Sequence, residues 1–263
     1  MKLAIIGVGG LGGAIANGII AAGGVELVVC GRRQSSVDAF AGRAHLERDA
    51  RAAVVGADVV LLAVKPGGTA ELLRHVADAV AQDALVVSCA AGVSLHKLAA
   101  GFVNTAFGLA RAMPNIGAQR RASTTGYTLG SSCVPERDRP RIEQVFGAVG
   151  STRELADEAL LHAVTAVASS GPAFLLLAVE ALTDAGVEQG LSRADALACA
   201  RGALVAAAAC LDPELEAMTV RAHVTSPGGT TAAGLSILEQ GAVRGTFQRA
   251  VAAAVERSRG IAG

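Results

Sequence analysis

Lys2 to Ile6 form a short apolar run that passes at once into Gly7-Val8-Gly9-Gly10-Leu11-Gly12 and then into an Ala/Ile-rich stretch ending near Gly23. A strand, a glycine turn and a helix in that order limit the fold more than anything else in the chain. Gly7 makes the tight turn, Gly9 lets main chain approach a ligand, and Gly12 lets helix and strand pack without a Cβ between them. The first-turn amides and the positive end of the helix dipole then face one small anion site. The pattern predicts an α/β, doubly wound domain that holds a dinucleotide pyrophosphate over Gly7, Val8, Gly9, Gly10, Leu11 and Gly12.

The first half continues to alternate. Val25 to Cys30, Ala57 to Val64 and Ala84 to Ser88 are β-rich runs separated by helical or turn segments. Continuous apolar strands between helices indicate a mostly parallel sheet covered on both faces. Further strands are expected at 106–112, 124–129 and 151–155, with a helix over 135–148. After Asp157 the β-branched runs vanish and Ala/Leu helices follow one another. Ser192-Arg193-Ala194-Asp195 has the form of a capping box opening a helix to about Cys210. Asp212-Pro213-Glu214 is expected to start a short helix, and the last two helices cover roughly 230–240 and 243–259. The boundary falls near 156, giving a Rossmann-type domain over 1–156 and an all-α domain over 157–263.

With 23 basic and 23 acidic side chains in 263 residues, no nucleic-acid surface is indicated. Hydrophobic residues make up 52% and charged residues 17%, which suggests extra surface buried between subunits and hence a homo-oligomer. Five cysteines, with no Cys-x-x-Cys pair, read as buried small hydrophobes in a reducing compartment. The five histidines lack metal-ligand spacing, so no metal is implied. Residues 159–179 carry no formal charge and are long enough on paper to cross a bilayer. His162 and the Ser169-Ser170-Gly171-Pro172 break favour two buried helical segments instead. The N-terminus has no secretory pattern, so the expectation is a cytoplasmic protein without membrane contact.

Dinucleotide folds that take NAD offer an acid to the ribose about 20 residues past the glycine turn. Here Cys30-Gly31-Arg32-Arg33 stands near that place. Arg32 and Arg33 suit the 2′-phosphate of NADPH, with use of NADH left open; the alternative is a solvated basic turn. Ala63-Val64-Lys65-Pro66 and Ala90-Ala91-Gly92 follow two strands at the ends where such sheets bind ligands. Ala90, Ala91 and Gly92 give backbone and space beside a nicotinamide. Lys65 either neutralises phosphate or substrate charge or extends to water. Near the far end, Thr225-Ser226-Pro227-Gly228-Gly229-Thr230-Thr231 puts an amide-rich turn before a helix, a site suited to a carboxylate.

These motifs, together with Arg111-Ala112-Met113-Pro114-Asn115, Ala163-Val164-Thr165, Ser170-Gly171-Pro172-Ala173, Glu180-Ala181-Leu182 and Gly190-Leu191-Ser192-Arg193, span nearly the whole chain. The ordered set resembles the pyrroline-5-carboxylate reductase family. That resemblance implies an N-terminal NAD(P) domain, a helical domain that dimerises by interleaving helices, and an active site completed across the dimer interface. It also implies reduction of 1-pyrroline-5-carboxylate to L-proline. Its substrate turn maps onto Ser226, Gly228, Gly229, Thr230 and Thr231, with the Thr231 hydroxyl as the candidate for serving the ring nitrogen that becomes basic on hydride transfer. On the same ground Asn115 and Glu158 are assigned to the cofactor and Glu214 to the substrate; the two acids suit the substrate's amine or the cofactor, with surface carboxylates as the alternative. The chain departs from the family pattern at Gly10-Leu11, Ile116-Gly117, Arg120-Arg121, His162 and Glu216-Ala217. A relative reducing a piperideine carboxylate, or a non-catalytic NADP-binding regulator, is the alternative.

Overall fold

The computed structural model describes residues 1–100, 107–211 and 215–262. They divide into two compact units, one of 1–169 with 254–263 and one of 170–253.

The first unit is built on a single eight-stranded sheet. Its strands are β1 (Lys2–Ile6), β2 (Glu26–Cys30), β3 (His45–Glu47), β4 (Val59–Leu62), β5 (Leu85–Ser88), β6 (Gly108–Met113), β7 (Ser123–Leu129) and β8 (Gly150–Glu154). They run in the order β3-β2-β1-β4-β5-β6-β7-β8, and every pair is parallel except β6 with β7. The strand order reverses beside β1, whose Ile6 pairs with Cys30 on one side and Leu62 on the other. A crevice at the carboxyl ends of these strands is therefore the place for a ligand.

Helices α1 (Gly10–Ala22), α2 (Gln34–Asp38), α3 (Ala50–Val54), α4 (Thr69–Val76), α5 (Leu95–Ala99), α6 (Pro135–Gly147) and α7 (Leu160–Val164) complete the unit, with the last residues of the C-terminal helix. α1 turns Ile15, Ala16 and Ile19 onto the sheet, where they join Leu3, Ile5, Val29 and Leu61 in one core. The other face packs Ala4, Ile6, Val60, Leu62 and Val86 against Val54, Leu73 and Val76 of α3 and α4. Short helices start where side chains supply caps: the Asp49 carboxylate accepts from the Arg51 and Ala52 amides, and the Ser94 hydroxyl from Lys97 N–H.

The second unit contains α8 (Gly171–Glu188), α9 (Arg193–Ala209), α10 (Ala217–His223), α11 (Thr230–Gln240) and the start of α12 (Val243–Ala262). Ser192 caps α9 by accepting from Asp195 N–H at 3.1 Å and donates to its carboxylate at 2.6 Å, as the capping box predicts.

Some expectations change. The break at 169–172 is a π turn, Thr165–Ser169, followed by α8 with Pro172 in its first turn, where a proline costs no hydrogen bond. Leu160–Glu188 is long and apolar enough to cross a membrane by length and composition, and most of its apolar stretch is exposed, so the segments expected to be buried are not buried within a single chain. Cys30 and Cys89 are buried as expected, but Cys199 and Cys210 are exposed, because α9 is uncovered in one chain. The strand start at Ala106 and the helix start at Asp212-Pro213-Glu214 lie outside the described residues, and so does Glu214 itself.

Candidate functional site

The glycine turn shows why each glycine is there. Gly7 has φ +104, and a Cβ on it would stand 2.7 Å from the Ala63 carbonyl oxygen. At Gly12 a Cβ would come 2.1 Å from the Gly7 carbonyl and 3.0 Å from Ala63 Cβ. Gly9 and Gly10 are different: nothing lies within 4 Å of a Cβ there, so their hydrogens face open cleft. α1 begins with no side-chain cap and no acid in its first turn, leaving its first amides for a ligand. These are the requirements of a pyrophosphate cradle, and an NADP-type dinucleotide fits them.

Two clefts meet over this turn. The first, about 550 Å³, lies among Val8, Gly9, Gly10, Arg33, Ser36 and Arg121. The second, about 310 Å³, includes Leu11, Ala91, Met113, Asn115, Thr165 and Ser169. Gly10, Ala14, Ala118 and Gln119 belong to both. Arg33 thus stands on the β2 side, where a 2′-phosphate is expected, whereas Arg32 is exposed and not part of either wall. Ala63 and Val64 are placed beneath Gly7. Lys65 and Pro66 are exposed at the end of β4, with Lys65 standing before a 3₁₀ turn over Pro66–Gly68.

Asn115 is held from all sides. Its side-chain NH₂ donates to the Ala168 carbonyl in the π turn at 2.9 Å, its Oδ1 accepts from Gly117 N–H at 2.8 Å, and its own N–H donates to Ser123 Oγ at 3.1 Å. The Asn115 carboxamide therefore joins the strand end to the π turn that carries Thr165 and Ser169. Glu158 accepts from the Arg111 guanidinium at 2.6 Å and from Leu95 N–H at 2.8 Å. Behind the Ala90 turn, burial pushes the Cys89 thiol up to about 12, partly offset by Arg111, so it stays protonated and inert. His162 bonds Ser258 Oγ at 2.8 Å through Nδ1, and burial, then the nearby Arg111, lowers its pKa.

In the second unit, residues 225–229 form a turn into α11. Gly228 has φ +67, which favours glycine, and a Cβ on Gly229 would come 2.4 Å from Ser226 Oγ, so that hydroxyl would have to turn away. Gly229 N–H donates to the Ser226 carbonyl at 3.1 Å. α11 opens with no side-chain cap and no acid in its first turn, and Thr230 and Thr231 are exposed there. Among the described residues no group of three or more His, Cys, Asp or Glu is arranged to hold a metal ion.

Sequence reasoning missed Ser36, Thr165 and Ser169 as cleft residues. Ser36 had a faint signal, a hydroxyl three residues past Arg33. Thr165 and Ser169 are polar positions four apart in an otherwise apolar run. Arg121, marked in the sequence only as a departure from the family pattern, reaches the cleft through a left-handed backbone (φ 58) and a tie to the Ala148 carbonyl at 3.3 Å.

Comparison with known proteins adds the following. A family described as pyrroline-5-carboxylate reductase dimerisation matches residues 158–261, and one described as NADP oxidoreductase, coenzyme F420-dependent, matches residues 2–92. The pyrroline-5-carboxylate reductase of Arabidopsis thaliana is 34% identical over 264 residues, covering 98% of this chain and 94% of that protein. That of Mycobacterium tuberculosis is 36% identical over 288 residues, covering 98% and 95%. Among solved structures, a pyrroline-5-carboxylate reductase from Coxiella burnetii superposes with a TM-score of 0.93 at 30% identity, covering 99% of this chain and 98% of that one. The Plasmodium falciparum pyrroline carboxylate reductase with NADP bound gives 0.83 at 25% identity, covering 100% and 98%.

Proposed function

The chain belongs to the pyrroline-5-carboxylate reductase family, and from that premise we propose how its residues divide the work. Its reaction is the reduction of 1-pyrroline-5-carboxylate to L-proline, an NAD(P)H-dependent oxidoreductase step of proline biosynthesis. NADPH, when bound, supplies the hydride.

The amides of Gly10, Leu11 and Gly12 hold the pyrophosphate. Arg33, with Arg32 beside it in sequence, takes the 2′-phosphate through charge-assisted hydrogen bonds. Ala90, Ala91 and Gly92 wall the nicotinamide, Ala63 and Val64 support the glycine turn, and Lys65-Pro66 rim it. Asn115 fixes the cleft by tying the strand end to the π turn. On the substrate side, Ser226 and the amides from Gly228 to Thr231 grip the carboxylate, and the family resemblance assigns Glu214 to the substrate's amine. The Thr231 hydroxyl serves the ring nitrogen, which becomes more basic as the neighbouring carbon is reduced.

The observation that carries the substrate assignment is the acid-free, uncapped start of α11 behind a turn in which Gly228 takes a positive φ and Gly229 packs closely on Ser226. We assign residues 1–156 to the cofactor and 157–263 to dimerisation and substrate, which the family match from 158 onwards supports. The chain is a homo-oligomer, and the unit proposed is a dimer. The buried thiols of Cys30 and Cys89 favour a reducing, cytoplasmic setting, and neither nucleic acid nor a membrane is a proposed partner.

The test follows absorbance at the reduced-nicotinamide band on mixing the protein with NADPH and 1-pyrroline-5-carboxylate. Thr231→Ala is expected to lower kcat about 10²- to 10³-fold, the loss typical of one well-placed donor, while NADPH affinity holds. Unchanged turnover removes Thr231 from the mechanism.

A further inference from the structure

Arg111 lies mid-sheet in β6 and is 4% exposed, a position where a charge is costly unless paired. Its Nη1 donates to Glu158 Oε1 at 2.6 Å, and the same oxygen accepts from Leu95 N–H at 2.8 Å. Nη2 reaches the Ala90 carbonyl at 3.5 Å, and Ala90 N–H donates to Ser88 Oγ at 3.2 Å. The 90–95 turn is thereby held at both ends, at Ala90 by Arg111 and Ser88 and at Leu95 by Glu158. Between those ends lie Ala91, which lines the second cleft, and Gly92 at φ +74. Met113, two residues beyond Arg111 on the same strand, lines that cleft too.

An apolar side chain in β6 would fill the space without any desolvation cost. What it would lack is a planar fork of donors that fixes the distance and angle between β6 and the turn. We propose that Arg111 is a positioning residue: through Glu158 and the Ala90 carbonyl it sets the Ala91 wall, and so the orientation in which the second cleft holds the reduced pyridine ring. This rests on the reading of Ala90, Ala91 and Gly92 as the nicotinamide wall. It gives Glu158 an indirect part, since its carboxylate is engaged by Arg111 and Leu95.

Arg111→Lys keeps the charge and loses the fork; Glu158→Gln keeps an acceptor and loses the charge. Four readouts separate positioning from folding: affinity for adenosine 2′,5′-bisphosphate, emission of bound NADPH, kcat, and the isotope effect with deuterated NADPH. Both variants are expected to hold the bisphosphate within about twofold of wild type. They should alter the emission of bound NADPH, lower kcat about 10- to 100-fold and raise the isotope effect, since small misplacements of reacting groups are that costly. Wild-type emission and turnover overturn the inference. So does a loss of bisphosphate affinity in step with kcat, which marks a merely structural pair. Ala91→Leu, which fills the wall, tells two failures apart. If it changes neither emission nor turnover, the wall itself is misread. If it changes both while Arg111→Lys and Glu158→Gln behave as wild type, the wall stands and Arg111 has no positioning role.

Discussion

The sheet unit and the helical unit treat the same kind of residue in opposite ways. Leu3, Ile5, Val59, Val60, Leu61, Leu62 and Leu85 are fully buried within one chain. In α8, α9 and α11, Leu177 is 66% exposed, Val205 62% and Ile237 66%, and among the described residues Val179, Thr183, Ala196 and Ala200 are the buried positions of those helices. Parallel strands have two faces and can cover both with helices connected in sequence, so that half completes its core by itself. Ala/Leu helices with apolar residues all round cannot do so; they leave surface that only another copy of the chain covers. A self-sufficient core therefore belongs to the sheet unit, and the surface left for association to the helical unit.

The largest effect should come from charging the uncovered face. Each leucine buried in an interface contributes about 1.5–3 kcal/mol, so Leu176→Asp with Leu177→Asp, counted in both copies, removes roughly 6–12 kcal/mol of association. Light scattering should report monomers without turnover that still bind NADPH through the sheet unit. A variant that stays assembled breaks the contrast.

Next come paired glycine substitutions. Gly12→Ala forces a Cβ into the Gly7 carbonyl and should cost about 4 kcal/mol or more by denaturant titration. Gly234→Ala in α11 meets nothing within 4 Å of its own chain and should stabilise by about 0.5–1 kcal/mol. Destabilisation at Gly234 instead would sharpen the contrast by marking that helix face as one lying against the partner copy.

Within the sheet unit, Arg33→Ala should weaken NADPH by about 1.5–3 kcal/mol, the worth of a hydrogen bond to a charged group, and leave NADH alone. Arg32→Ala should matter less, because Arg32 is outside the cleft walls. Equal loss of both cofactors, read by titration, contradicts the phosphate assignment.

The smallest effect concerns His162. Its pKa is lowered from 6.5 by burial and then by Arg111, so the folded state binds its proton less readily than the unfolded chain. Its contribution to stability is present above pH 6.5 and lost as pH falls through the lowered value. His162→Gln should flatten the melting temperature against pH below 6.5; an unchanged slope assigns that acid sensitivity to other groups.

Much of the sheet unit was legible. β1, β4 and β5 are apolar runs bounded by turn residues, and the observed spans fall within or on the expected ones. β3 escaped because it has three residues, pairs on one side only and carries no alternation. In the helical half, element ends came within a few residues because Ser192, Gly229 and Gly241 punctuate the chain, but burial did not: an Ala/Leu repeat looks the same whether its cover comes from the same chain or another. For the candidate site, the amide-rich turns could be read from glycine and threonine placement. The pairing of Arg111 with Glu158, 47 residues apart, could not.

The amino-acid order alone marked most of the strands and helices, where the chain needs glycine, and a first turn fit for a dinucleotide. Those features depend on neighbours within a few residues, through backbone sterics, side-chain period and the unpaired amides of a helix start. Folding in three dimensions decided the rest: Arg33 rather than Arg32 in the cleft wall, Arg121 and Ser36 beside it, Asn115 bound to a π turn, and a buried cation behind Ala90. Each of these is a meeting of groups distant along the chain, and which groups meet is fixed only when sheet order and packing bring their strands and turns together.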